Sequence, residues 1–270
     1  MKNEEIWKLK KVGFSQYILR NSPFLPSGFF IFPIAKKPSI FYNYKDLKHI
    51  NSYLNTYIFE AMVLYIAGVN HFDPLCRGKL SQWLKNLSNS NKGLPCFLAA
   101  EWSEDYFLKV KSQRKYFRQI LQEEWPHLSL EALDVLELSL GYEADTHIKI
   151  FPDVELLWLD KGRWKNPDII KKYAKDRLTV LKSCLQNDIL PKDSLGALEK
   201  ISKSIRQREE PFSFGNGRDK KYARLIIKRI EKCRSDWAIV IVGEYHASED
   251  RQSMRSILES QGLTCKVTFL

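Results

Sequence analysis

The chain has 270 residues, with 43 lysines and arginines against 32 aspartates and glutamates, and a formal net charge of +11. Hydrophobic residues make up 44% and aromatic residues 13%, with 12 glycines and 11 prolines, which excludes disordered, low-complexity and collagen-like proteins. The longest apolar runs, such as Phe29–Ala35 and Ala61–Val69, fall short of the roughly 20 residues of a membrane-spanning helix. We therefore expect a soluble globular protein with no membrane partner.

The basic residues fall into separate clusters, among them Lys109–Arg118 and Lys220–Arg234, mostly in segments with a helical pattern. Charge spread in this way favours solvated helix faces over a dedicated nucleic-acid-binding surface. An anionic partner nevertheless stays among the alternatives, because a basic surface attracts anions whatever the fold. A nucleic-acid-binding protein or a nuclease that uses this surface is accordingly one of the functional alternatives.

The five cysteines, at positions 76, 96, 184, 233 and 265, include no Cys-x-x-Cys pair. An odd number of scattered cysteines favours isolated thiols in a reducing compartment over a disulfide framework or a zinc knuckle. The first five residues carry two acids and no apolar segment, unlike a signal peptide. These features together predict a cytoplasmic protein.

Residues 1–60 predict a lead-in to the fold, with strands at Gly13–Leu19 and Gly28–Ala35 and a helix at Asp46–Tyr57. A strand-helix-strand unit follows. It consists of the continuous apolar run Ala61–Ala67, a helical pattern over Cys76–Leu87, and a second apolar run at Leu94–Ala100. Runs without polar alternation are typical of strands that are buried on both faces.

Residues 105–235 predict a largely helical middle, with one or two strands near residues 142–160. Ser129 is a candidate N-cap for a helix that ends at Gly141, and three further helices each begin with an aspartate that can cap free backbone N–H groups. The predicted helices are Asp105–Glu124, Ser129–Leu140, Asp168–Leu185, Asp193–Arg208 and Asp219–Cys233.

The strand-helix-strand order returns near the end of the chain. A strand at Trp237–Val242 precedes a helix at Asp250–Gln261 and a last strand at Thr264–Phe269. Two such units predict an α/β fold, namely a single domain over residues 1–270 with a mostly parallel sheet flanked by helices and a helical insertion in the middle.

Three polar residues follow the predicted buried strands directly, where ligands bind in parallel sheets. They are His71, Glu101 and His246, and each histidine lies in a Gly-x-x-His sequence, where glycine allows the chain to turn off the strand. Two imidazoles and a carboxylate can hold a divalent metal that keeps an open position for water. Without a metal, the same groups can act as general acid and base. Each motif alone also fits a structural histidine.

A second group of polar residues is Glu143, Asp145 and His147. On a strand these three side chains would point to one face, where Glu143 could serve as a further catalytic group and Asp145 and His147 as further metal ligands. The alternative is the solvent face of an edge strand. The run Val154–Leu159 ends at Asp160, and Asp160 with Arg163 could bind an anion or cap a turn.

The two Gly-x-x-His motifs, with Glu101 after the intervening strand, resemble the TraB/Tiki and erythromycin-esterase/ChaN-like superfamily. The part that is most similar is Ala238–Ala247 with the helix, Gly262 and short strand that follow. The resemblance implies an α/β fold with a cleft at the strand ends. It also implies that His71, Glu101 and His246 are the metal-binding or catalytic groups.

The leading hypothesis is therefore a cytoplasmic hydrolase that acts on a peptide, ester or related bond of a small-molecule or peptide substrate. A divalent metal, manganese, zinc or cobalt, is its predicted cofactor if it has one. The first alternative is a non-catalytic binding protein on the same scaffold, and the second is the nucleic-acid-binding protein or nuclease mentioned above. No Gly-x-Ser-x-Gly elbow, P-loop or dinucleotide motif is present in the sequence.

Overall fold

The structure is a computed structural model that describes residues 62–160, 167–185, 190–191, 193–207, 217–233 and 235–270. The strands expected at Gly13–Leu19 and Gly28–Ala35, the helix expected at Asp46–Tyr57, and Arg163 all lie outside the described residues.

Strands and helices alternate along the described chain. The strands are β1 (Val63–Val69), β2 (Leu98–Ala100), β3 (Leu156–Trp158), β4 (Trp237–Gly243) and β5 (Thr264–Phe269). The helices are α1 (Cys76–Ser90), α2 (Glu104–Glu124), α3 (Leu130–Ser139), α4 (Pro167–Leu185), α5 (Ser194–Arg206), α6 (Arg218–Ile230), α7 (Glu244–Ala247) and α8 (Met254–Ser260). Two 3₁₀ turns, Tyr142–Ala144 and Thr146–Lys149, precede β3.

The five strands form one sheet in the order β3-β2-β4-β1-β5, and every pairing in it is parallel. The predicted α/β fold is thus confirmed. β4 lies in the middle and is buried along its whole length, as its unbroken apolar sequence indicates. Because parallel strands end at the same edge, the carboxyl ends of β2, β4 and β1 lie side by side.

Each face of the sheet is covered by helices. On one face, α6 contributes Tyr222, Ile226 and Ile230 to a core shared with α8, and on the other, α1 packs Leu80 and Leu84 against the strands. The helices of the middle segment bury a further cluster among themselves, drawn from α2, α3, α4 and α5. Each fully buried leucine or isoleucine contributes about 2 kcal/mol to folding, so helices and sheet stabilise one another.

The helix ends follow the predicted capping residues in two of the clearest cases. The Ser129 hydroxyl accepts from the Ala132 N–H at the start of α3, and Asp193 accepts from the Gly196 N–H at the start of α5. The prediction that Asp219 caps a helix is wrong: α6 begins one residue earlier, with Gly217 at the N-cap position. Asp219 is instead buried and directed towards the sheet.

A disulfide joins Cys96, just before β2, to Cys233, just after α6, with their Cα atoms 5.7 Å apart. The expectation of isolated thiols is therefore wrong for this pair, and it holds for Cys76, Cys184 and Cys265. The two cysteines are 137 residues apart in sequence. They meet because α6 packs on the sheet face beside β2, a contact that cysteine spacing does not encode.

Within the described ranges, no helix is both long and apolar enough to cross a membrane.

Candidate functional site at the carboxyl edge of the sheet

Three adjacent strands deliver polar side chains to one edge of the sheet. His71 follows β1 by two residues, Glu101 follows β2 directly, and His246 lies in α7 immediately after β4. The structure thus brings together the three residues that strand-end reasoning singled out.

Glu101 lies at the centre of this group. Its Oε2 accepts hydrogen bonds from His71 Nε2 at 3.1 Å and from the Gly243 N–H at 2.9 Å. Its Oε1 lies 3.6 Å from His246 Nε2 and 3.3 Å from an Arg218 nitrogen. Burial opposes ionisation of Glu101, but the positive charge of His71 and hydrogen bonds from both imidazoles hold the pKa of this carboxyl well below its usual range.

His71 is held between two carboxylates. Its Nδ1 lies 2.7 Å from Glu143 Oε1, while its Nε2 faces Glu101. Burial alone would lower the pKa of the imidazole, but the negative charges of Glu101 and Glu143 raise the pKa of His71 to about 10. His71 is therefore an imidazolium at neutral pH, and it donates a hydrogen bond from each nitrogen.

His246 repeats this arrangement on the other side of Glu101. Its Nδ1 lies 2.8 Å from Asp219 Oδ1, which also accepts from the Met254 N–H at the start of α8. Burial opposes the positive charge, but hydrogen bonds to Asp219 and Glu101 raise the pKa of His246 to about 9. Carboxylate and imidazole thus alternate along a chain of five groups, from Glu143 to Asp219.

Arg218, the first residue of α6, was not found by sequence reasoning. Its guanidinium lies 3.2 Å from Asp160 Oδ2 and also contacts Glu101. Asp160 is buried two residues after β3, which is shorter than the predicted run Val154–Leu159. Asp160 accepts a hydrogen bond from Arg218. The only signal in the sequence was Gly217-Arg218-Asp219 at the start of an amphipathic helix. Nothing in that pattern says that the helix begins at the edge of the sheet.

The network has an outer and an inner layer. Outermost are Arg218, His71 and Glu101, whose side chains are 19%, 18% and 11% exposed. Each contacts a carboxylate or imidazole that is no more than 5% exposed. The buried partners are Glu143, Asp160, Asp219 and His246. Only the outer groups can touch a bound molecule, and the inner groups fix their orientation and charge.

The glycines of the two Gly-x-x-His motifs serve close packing rather than a sharp turn. A Cβ on Gly243 would lie 2.9 Å from His71 Nε2 and 3.4 Å from Glu101 Oε2. A Cβ on Gly68 would lie 2.7 Å from the Phe269 ring. Neither glycine has a positive φ. In the second motif the backbone thus comes so close to the site that a side chain would displace the imidazole.

The structure separates the three residues of the second predicted group. Glu143, Asp145 and His147 do not lie on a strand, since residues 142–149 form two 3₁₀ turns, and the prediction of a strand here is wrong. Gly141, with φ of 62°, ends α3 and turns the chain into them. Glu143 joins the site through His71, whereas Asp145 forms an ion pair with Arg114.

His147 lies outside the network. Its Nδ1 bonds the carbonyl of Glu143, and burial lowers the pKa of the imidazole to about 4, so the ring is neutral at pH 7. Its Nε2 is buried without a hydrogen-bond partner among the described residues. Neither Asp145 nor His147 contacts His71, Glu101 or His246, so the geometry gives no support to their predicted role as metal ligands.

Trp102 and Arg177 support the site from behind. The Trp102 indole donates to Glu143 Oε2 at 3.1 Å and stacks on Tyr106, with ring centroids 4.3 Å apart. Arg177, in α4, is 1% exposed and donates to the backbone carbonyl of His71. Its second terminal nitrogen, Nη2, donates to the Phe72 carbonyl at 3.2 Å and to the Ser139 hydroxyl at 2.9 Å. A buried guanidinium therefore fixes the loop that carries His71.

The imidazole nitrogens and carboxylate oxygens of the site are atom types that commonly bind metal ions in proteins. Each imidazole presents Nε2 towards Glu101 while a carboxylate holds its Nδ1, and this second contact is typical of metal-bound histidines. As placed, the donors are hydrogen-bonded to one another, and in the part of the chain that the structure describes no group of three His, Cys, Asp or Glu is arranged to hold an ion. The metal thus stays a prediction.

The raised imidazole pKa values predict that stability depends on pH. A pKa raised from 6.5 to about 10 for His71 and about 9 for His246 stabilises the fold fully below pH 6.5, and this contribution is lost as pH rises through these values. We expect the free energy of unfolding to fall by several kcal/mol between pH 6.5 and 10.

Urea denaturation at several pH values measures this dependence. His71→Gln should flatten the fall, while His127→Gln, at an exposed position, should leave it unchanged. Equal slopes in the two variants would show that His71 is not charged in the folded protein.

Comparison with known protein families, with curated proteins and with solved structures finds no significant match to this chain. The functional argument therefore depends on the fold and on the geometry of the site.

Proposed function

We propose that the chain is a hydrolase that cleaves an ester, an amide or a related bond at the carboxyl edge of the sheet. The observation that carries the proposal is the layered network, in which His71, Glu101 and Arg218 are accessible and buried partners hold them. Polar groups fixed before substrate binds need little rearrangement during reaction, and such preorganisation is usually the largest source of catalysis.

In the proposed reaction, Arg218 donates hydrogen bonds to the scissile carbonyl oxygen and stabilises the negative charge that develops there. Glu101 takes a proton from the attacking water, whose oxygen forms the new bond to the carbonyl carbon. The His71 imidazolium gives a proton to the leaving group as the old bond breaks. Glu101 then passes the proton from the water to His71 across their 3.1 Å contact, which restores the site.

The resemblance to the TraB/Tiki and erythromycin-esterase/ChaN-like superfamily supports the same proposal. It depends on His71, Glu101 and His246, the residues that meet in the network. It favours a peptide or ester bond in a small-molecule or peptide substrate over other hydrolysable bonds.

A Glu101→Gln variant tests the proposal because it keeps the shape of the side chain and removes its charge. We expect turnover of a responsive ester or amide substrate to fall about 100-fold or more, the range typical of a lost general base. Glu104→Gln, at an exposed position in the first turn of α2, is the matched control and should keep full activity.

Activity that survives in Glu101→Gln would contradict the assigned role. A folded wild type that turns over no ester, amide or phosphoester would instead favour the non-catalytic binding protein.

A divalent metal is the other form of the same proposal. His71, Glu101 and His246 would hold it, and a bound manganese, zinc or cobalt ion would supply a water whose pKa is lowered towards about 7. Metal analysis of protein purified without chelator separates the two forms. Stoichiometric metal that is lost in a His71→Ala, His246→Ala double variant supports the metal form, and no metal after loading supports the acid–base form.

A cytoplasmic location also stays a proposal. The disulfide between Cys96 and Cys233 weakens one of its arguments, because disulfides persist mainly in oxidising compartments. Mass spectrometry of alkylated protein from cells, with and without reduction, shows which state the two cysteines hold there.

A further inference from the structure

Helix α6 presents an exposed face that is almost entirely cationic. Lys220, Arg224 and Lys228 follow one another at intervals of four residues along this face, with Lys221 beside them. Lys232, just past the end of the helix, continues the row, and all five side chains are exposed. The exposed carboxylate on the same side is Glu231. We call this row of five cations the α6 cationic face.

Helix geometry sets the spacing of the charges. Residues four apart lie about 6 Å apart along the helix axis and shift by about 40° around it. Lys220, Arg224 and Lys228 therefore form a slanting row about 12 Å long, and Lys232 lies beyond the end of the helix. A row of regularly spaced cations matches a linear chain of anions better than a single small anion.

These cations are not neutralised within the described part of the protein. None of them forms an ion pair with a described carboxylate, whereas Arg229, on the side of α6 next to the sheet, pairs with Glu155. Helix α4 shows the contrast, because its Lys182 pairs with Glu124 of α2 and Asp176 is exposed among its lysines. The α6 cationic face therefore carries a high local density of positive charge, in a chain of net charge +11.

The position of the apolar side chains of α6 limits which class of partner the α6 cationic face can bind. Tyr222, Ala223, Ile226 and Ile230 are buried in the sheet core, and none of the large exposed hydrophobic residues lies on this helix. A membrane-surface helix inserts apolar side chains, and protein interfaces are built around an apolar centre. A surface whose exposed charges are nearly all cations fits a partner bound through its phosphates.

We propose that the α6 cationic face binds the phosphate backbone of a nucleic acid. Contacts of this kind are independent of sequence and release counterions from the nucleic acid, so the affinity falls steeply with salt. The proposal uses side chains of α6 other than Arg218, which belongs to the His71–Glu101 network, and does not depend on the hydrolase proposal.

Fluorescence anisotropy with a short labelled single-stranded oligonucleotide tests it. Replacing Lys220, Arg224 and Lys228 together by glutamine should weaken binding about 10-fold or more at low salt, and should reduce the slope of log affinity against log salt by about 2 to 3. The matched control replaces Lys171, Lys172 and Lys175, which are exposed on α4, by glutamine. It removes the same charge and should weaken binding by less than about 3-fold. Circular dichroism checks that both variants are folded.

Three results would overturn the proposal. Equal weakening by the two triple variants would mean that net charge, rather than this face, attracts the oligonucleotide. Wild-type protein that shows no salt-sensitive binding would remove the surface altogether. Binding to phosphatidylglycerol vesicles without binding to the oligonucleotide would assign the face to a membrane.

Discussion

Replacing Arg177 with methionine is expected to lower the free energy of unfolding by about 3 kcal/mol, because each buried acceptor left without a donor costs about 1 to 3 kcal/mol. The acceptors are the backbone carbonyls of His71 and Phe72 and the hydroxyl of Ser139, all bonded by one guanidinium. Methionine fills similar space between the rings of Phe72 and Phe117, so packing changes little and the lost hydrogen bonds dominate. Urea denaturation measures the loss.

Two further variants make this prediction specific. Arg177→Lys keeps the charge and one or two of the donors, and should recover part of the lost stability. Arg118→Met removes an arginine whose partners, Asp134 and Glu137, lie at the surface, and should cost less than about 1 kcal/mol. Equal losses for Arg177→Met and Arg118→Met would mean that the buried guanidinium does not hold the His71 loop.

Loss of the Cys96–Cys233 disulfide is expected to lower the free energy of unfolding by about 3 to 5 kcal/mol, because the bond closes a long loop and restricts the unfolded chain. The two cysteines are 137 residues apart in sequence, and the loop between them includes the whole helical middle of the protein. The test is a Cys96→Ser, Cys233→Ser double variant, unfolded in urea beside the wild type with and without a dithiol reductant.

The control for the disulfide is a Cys184→Ser, Cys265→Ser variant, which removes two thiols that are free in the structure. It should keep the stability of the wild type and its sensitivity to reductant. If reductant leaves the midpoint of the wild type unchanged, the disulfide does not form in the folded protein.

The main elements of the sheet were predictable because they depend on local pattern. β1 and β4 are continuous apolar runs, and such runs become buried parallel strands wherever helices cover both faces. β2 was predicted too long, over Leu94–Ala100, and only Leu98–Ala100 is a strand. Pro95 has no N–H for a ladder, so the run cannot pair along its whole length. The backbone of Cys96 and Phe97 still bonds Trp237 and Ile239 of β4, and the strand itself begins at Leu98.

The residues of the candidate site likewise include some that local pattern could predict and some that it could not. His71, Glu101 and His246 could be found because a residue that follows a parallel strand lies at a known edge of the sheet. Arg218 and Asp219 could not, since they begin a helix and reach the site only because α6 starts beside β4 and α8. Glu143 was named for the wrong reason, as a residue of a strand, whereas it reaches His71 from a 3₁₀ turn.

The strand order has a consequence for how the protein forms. β1 and β2 come from one strand-helix-strand unit, yet β4 lies between them in the sheet, and Val63 pairs with Trp237 from the far part of the chain. β2 can pair with β3, but nothing fixes β1 relative to β2 until β4 has been synthesised and pairs with both. Chains dominated by such distant pairings fold slowly, over about milliseconds to seconds, and expose unpaired strand edges meanwhile. We therefore expect His71 and Glu101 to come together only after β4 has joined the sheet.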